Sequence, residues 1–111
     1  MAMDLRGHLD LLILAALRRT GPTHGYALIQ ALRERSDGTF DLPEGTVYPA
    51  LHRLERAGLV VSAWHDGGGR RRRCYELTDQ GLAALVTKQS EWQALVRGVA
   101  AVLAPTQGAA T

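Results

Sequence analysis

The stretch GTVYPALHRLERAGLVVSAWHDGGGRRRRCYELT, Gly45 to Thr78, changes its apolar period once and divides there into a helix and a hairpin. Val47, Leu51 and Leu54 recur at four and three residues, one face of a helix, and Gly58 stands where a helix commonly ends. That stripe turns Thr46, Tyr48, Pro49, His52, Arg53 and Arg56 away from the core. Pro49 brings no backbone donor and is tolerated best in a first turn, so this helix is expected to begin late or irregularly. From Leu59 the period falls to two. Leu59, Val61 and Ala63 alternate with Val60, Ser62 and Trp64; beyond the glycines, Arg70 to Leu77 alternates again with Tyr75 and Leu77 on one side. Two strands about a glycine turn make a hairpin, and beside its tip lies the densest positive charge in the chain, Arg70 to Arg73. Alternation keeps the four from facing one way. Arg70 and Arg71, nearest the glycines, are expected to reach an anionic partner, while Arg72 and Arg73 divide between partner and fold. Trp64 is expected to pack.

Upstream, Leu5, Leu9, Leu12, Ile13, Ala16 and Leu17 recur at helical spacing until Thr20, Gly21 and Pro22. Leu11 and Leu14 are apolar too, so this first helix is greasy on more than one face and calls for cover from two directions. The turn Gly21, Pro22, Thr23 leads into HGYALIQALRERSDG, whose stripe Leu28, Ile29, Leu32 predicts a short second helix ended by Ser36, Asp37 and Gly38. Downstream, Thr78 can cap a last helix, in which Leu82, Leu85, Gln89, Trp92, Val96, Val99 and Leu103 form a seam that stops at Pro105. A helix of about 26 residues is roughly 39 Å long, more than a small three-helix core covers. Its seam is therefore expected to pair with a second copy of the chain. Gln89, polar on that seam, can fix its register.

The 111 residues suffice for one folded unit, and 46% hydrophobic with 22% charged residues describes a globular protein. No apolar run reaches membrane-span length, and MAMDLRGHLD lacks the pattern of a secretory signal, so a cytoplasmic protein is expected. A single cysteine, Cys74, agrees with a reducing compartment; it reads as a small strand hydrophobe ahead of a redox sensor. No phosphate-cradling glycine loop, HExxH or GxSxG is present, and His8, His24, His52 and His65 are scattered. An enzyme, a metal site and a bound cofactor are not expected. The net charge of +2 and pI near 9.1 are mild, so the clustering of charge says more than the total.

Three short helices followed by a two-stranded hairpin and a long helix give a mainly α, α+β chain: a winged helix-turn-helix over residues 1–78, a dimerisation helix over 79–104 and a tail over 105–111. In that layout the third helix enters the major groove of double-stranded DNA and the wing follows the backbone, its arginines neutralising phosphates or entering the minor groove. Pro49, His52 and Arg53 on the outward face are expected to meet the DNA, with Arg53 gripping guanine ahead of the alternative, a pair with a neighbour along its own helix.

HGYALIQAL, PEGTVYPALHRLERAGL, the GGGRRRR tip and CYELTDQG, with the closing amphipathic helix, resemble the PadR family of bacterial transcriptional regulators, in its small form with one C-terminal helix. The resemblance spans about Leu5 to Leu103. It implies a homodimeric winged-helix repressor whose last helix, assisted by the first through Leu5 and Leu9, makes the dimer contact. It also implies DNA-facing roles for Gly45, Thr46 and Tyr48, core roles for Val47 and Leu51, and a crossing of the sugar-phosphate strand at His24, Gly25 and Tyr26. Tyr26 can equally be a core aromatic. Trp92 can be interface core or, as the resemblance suggests, a stacking platform for a small planar aromatic effector. The competing reading is a winged helix used for protein contact, its arginines meeting an acidic partner.

Overall fold

A computed structural model describes Leu5 and residues 7–106. The chain runs α1 Leu9–Thr20, β1 Thr23–His24, α2 Gly25–Arg35, α3 Glu44–Arg56, β2 Val60–Gly67, β3 Arg70–Leu77 and α4 Asp79–Leu103. The helix-helix-helix-hairpin-helix order is as expected, with differences at four points that have local causes.

The first helix starts at Leu9. Leu5 precedes it, its carbonyl accepting from the N–H groups of His8 and Leu9 at 2.9 and 3.0 Å, because Gly7 takes a φ of 86° that no helix contains. α1 ends at Gly21, whose N–H closes on Leu17. Second, Thr23 and His24 form a strand instead of a turn. They pair antiparallel with Tyr75 and Cys74, so the wing belongs to a three-stranded sheet of order β1-β3-β2. Two residues are too few to display alternation.

Third, α3 begins at Glu44, directly after its N-cap Pro43, and continues through Pro49. The N–H that proline lacks would have bonded the carbonyl of Gly45, four residues back. Gly45 is exposed, so water can meet that carbonyl, while Val47, Ala50, Leu51 and Leu54 on the other face are all buried. Burial of about 2 kcal/mol per large side chain outweighs one lost bond at the surface.

The hairpin register runs from Val60↔Leu77 to Gly67↔Arg70, leaving Gly68 and Gly69 as a two-residue turn with φ of 59° and 76°. Positive φ at both positions marks the turn whose twist matches paired strands, and glycine adopts it without strain. Thr78 caps α4 as expected: its Oγ1 accepts from the Gly81 N–H at 3.0 Å and donates to the Gly58 carbonyl at 2.6 Å. A Cβ at Gly81 would overlap the Leu59 carbonyl, so only glycine lets α4 leave the sheet at this angle.

The core joins Ile13, Leu14 and Leu17 of α1, Leu28 and Leu32 of α2, Leu51 and Leu54 of α3, Val60 and Tyr75 of the sheet, and Leu85 of α4. Leu85 is the fourth difference. At 2% exposure it is buried within its own subunit and has no surface to offer a second copy; the first turns of α4 lie on α1, and only later turns leave the body. No described helix is long and apolar enough to cross a membrane.

Candidate nucleic-acid interface

α2, α3 and the two strands of the wing converge around a cleft of about 350 Å³, lined by His24 and Tyr26 at the start of α2, Tyr48 of α3, Trp64 of β2 and Arg70 to Arg73 of β3. Of the residues that the sequence nominated for DNA, the structure brings these seven together: His24, Tyr26, Tyr48 and the four arginines. Tyr26 is 55% exposed, which removes it from the core. Gly45, Pro49 and His52 are exposed on α3 and Thr46 is half-buried; none of them lines the cleft.

Tyr48 reaches the cleft because of Gly25. A Cβ on this buried glycine would stand 2.6 Å from two atoms of the Tyr48 ring, so the missing side chain is the seat on which the phenol rests. Nothing in the sequence around Gly25 marks this contact, since the residue it accommodates lies on another helix.

The four arginines occupy different settings. Arg73 donates from Nε to Ser62 Oγ at 2.8 Å; that hydroxyl donates to Glu55 Oε2 at 2.6 Å, and Arg73 Nη2 stands 4.0 Å from the same carboxylate. Arg73 thus ties the wing to α3. Arg72 Nη1 lies 3.0 Å from His24 Nε2, while His24 Nδ1 accepts the Ala27 N–H at 3.3 Å as the cap of α2. A neutral imidazole has one acceptor nitrogen, so one tautomer accepts at Nδ1 and the other at Nε2, and no single tautomer accepts both contacts. Arg71 lies over the Trp64 ring, its guanidinium carbon 5.0 Å from the centroid, with that of Arg73 at 5.3 Å. Arg70 makes no ion pair or hydrogen bond with another described side chain. Trp64 itself is 52% exposed: it does not pack into the core as expected, because the strands run beyond the helices that would cover it.

Arg53 has a different occupation. Its Nη1 donates to Asp10 Oδ2 of α1 at 2.8 Å, and this hydrogen bond raises the guanidinium pKa above its ordinary value against a small opposing effect of burial. The partner comes from another helix, not from a neighbour along α3. Tyr48 and Arg53 are about 140° apart around the helix at 100° per residue, so Arg53 flanks α1 while Tyr48 flanks the wing. Tyr75, beneath the wing, has its pKa raised by burial, with Arg73 opposing.

Along α4, Leu82, Trp92, Val96, Val99 and Leu103 are exposed, as is Gln89. Val86, Leu95 and Val102 are exposed as well, which widens the apolar face beyond the single seam read from sequence; Leu95, Val99, Val102 and Leu103 with Ala94 and Gly98 line a groove of about 480 Å³. Leu5 and Leu9 are half-buried. The Trp92 ring is met edge-on by His8, centroids 5.2 Å apart at 72°.

Comparison with known proteins places the chain by sequence and by fold. The profile of the "Transcriptional regulator PadR-like family" matches residues 13–87. A transcriptional regulator of Mycobacterium tuberculosis is 39% identical over 88 residues, 79% of this chain and 79% of that protein. Among solved structures, a PadR family transcriptional regulator from Eggerthella lenta superposes with a TM-score of 0.79 at 37% identity, covering 91% of this chain and 86% of that one. A transcriptional regulator from Clostridium thermocellum superposes at 0.82 with 28% identity, covering 90% and 97%.

Proposed function

The chain belongs to the PadR-like family of transcriptional regulators, and from that premise we propose that it is a homodimeric repressor which binds an inverted-repeat operator. The observation that carries this reading is the cleft in which His24, Tyr26 and Tyr48 stand beside four wing arginines. A surface that joins the start of α2, one flank of α3 and a cationic hairpin suits a duplex: α3 enters the major groove, the start of α2 meets the sugar-phosphate strand, and the wing follows the backbone. Thr46, Tyr48, Pro49 and His52 face the bases, and Gly45 lets the backbone come close. Arg70, Arg71 and Arg72 meet phosphates, while Arg73 holds the wing in place.

A second copy pairs along α4 through Leu82, Trp92, Val96, Val99 and Leu103, with Leu5 and Leu9 assisting and Gln89 setting register. Twofold symmetry then demands two half-sites in opposite orientation, separated by a multiple of about 34–36 Å. A planar aromatic effector that stacks on Trp92 between the subunits would alter their spacing and release the operator. The protein acts in the cytoplasm, where the chromosome is.

Selection of genomic fragments by the purified protein tests the operator reading. Enrichment of an inverted repeat, bound at least a hundredfold tighter than random duplex, is expected. Equal binding to both would end it and leave the wing for an acidic protein partner. In a Trp64→Phe background, an effector quenches Trp92 emission and releases the repeat; an aromatic panel that does neither removes the effector.

A further inference from the structure

We propose that Trp64 is a positioning residue for DNA binding: its exposed ring is the platform that holds Arg71 extended toward the duplex, so that the wing presents a fixed charge. The inference rests on the DNA-binding reading and adds to it a residue that does its work through another.

Four observations carry it. Trp64 and Arg73 are directly opposite in the register of β2 and β3, which puts Arg71, two residues along, on the same face as the indole. Both guanidinium groups lie over the ring, at 5.0 and 5.3 Å. Asp66 is the residue directly opposite Arg71, yet the two make no ion pair; the ring holds this arginine although a carboxylate is available. Arg73 is fixed independently by Ser62 and Glu55, so it holds the indole from one side and leaves Arg71 as the group that the indole orients.

The chemistry suits phosphate recognition. A guanidinium held over an aromatic ring keeps N–H groups free to donate to an anionic oxygen pair. An arginine on a hairpin tip otherwise explores many rotamers, and a partner must freeze them; contact with the ring removes part of that freedom beforehand. A ring more than half exposed has little to do for the core, which explains why so large an apolar side chain stands on the wing at all.

The test is duplex binding by fluorescence anisotropy, with a labelled random-sequence DNA titrated at several potassium chloride concentrations. Trp64→Ala and Trp64→Leu are each expected to weaken binding about five- to tenfold, and Trp64→Phe to restore it to within about twofold. The salt slope stays unchanged in all three, because every arginine remains, whereas Arg71→Ala lowers it by about one. In the Arg71→Ala background, Trp64→Leu is expected to have no further effect, a coupling that a merely structural tryptophan would not produce. Melting midpoints of all variants confirm that they fold. Wild-type affinity in Trp64→Leu, or a full additive loss in the double variant, overturns the proposal. Failure of the unaltered protein to bind any duplex in a salt-dependent way would instead remove the DNA reading, and this proposal with it.

Discussion

Gly25 is the residue on which the position of Tyr48 in the cleft depends, although it has no side chain to touch anything. It sits in the first turn of α2 with φ in the ordinary helical range, so alanine there meets no backbone penalty and would gain about 0.5–1 kcal/mol of helix stability. Its Cβ, however, would stand only 2.6 Å from the Tyr48 ring, closer than contact allows. Gly25→Ala is therefore expected to turn Tyr48 out of the cleft and weaken operator binding roughly tenfold, about 1.4 kcal/mol, while the melting temperature moves little. A variant that binds as wild type would show that Tyr48 has no part in the contact. His24 gives a second prediction. Its Nδ1 caps α2, so His24→Ala should cost about 1 kcal/mol in urea denaturation, and His24→Asn should recover most of it, since asparagine is a favoured cap. Both roles were half legible: HGY was quotable as a motif, but a glycine gives no sign of the neighbour it makes room for, and a histidine does not reveal which nitrogen it uses.

Among the elements, legibility followed length and repetition. α4 and the hairpin follow from repeated periods, α2 from a short stripe closed by Ser36, Asp37 and Gly38, and all from boundary residues such as Thr78 and Gly68, whose chemistry is local. β1 escaped because two residues have no period, and Trp64 was misread because alternation tells which face a strand residue takes but not where the covering helices stop. α3 is the instructive case. Pro49 argued for a late start, yet the cost of one missing bond at an exposed turn is small beside four buried side chains. On the same helix Arg53 is occupied by Asp10 of α1, on the flank away from Tyr48. Arg53→Ala is thus expected to lower stability by about 0.5–1 kcal/mol, as for a partly exposed ion pair, and to leave base preference in the half-site unchanged. Loss of preference at one base pair would return Arg53 to the major groove.

The whole molecule is drawn out to 70 Å in its longest dimension by α4, which leaves the body after its first turns and carries an apolar surface along its remaining length. One uninterrupted seam therefore has two surroundings: Leu85 faces the chain's own core, and Val96 and Val99 face outward. Period alone cannot separate the two, because core and interface want the same side chains at the same spacing. Substitution can. Leu85→Ala is expected to cost about 2–5 kcal/mol, as for any large-to-small change in a closed core. Val99→Asp changes nothing inside the subunit, so the core should stay folded with an unaltered circular dichroism spectrum, while sedimentation shows one subunit in place of two. A dimer engages its second half-site at the effective concentration set by the first, which multiplies affinity by roughly 10²–10⁴. Val99→Asp should therefore bind an inverted repeat no better than a single half-site, with the contacts of the wing and of α3 intact on each. If the variant sediments as a dimer, the partner of this subunit lies elsewhere than on α4; if it is a monomer that binds the repeat at full strength, the two half-sites are not read by paired subunits.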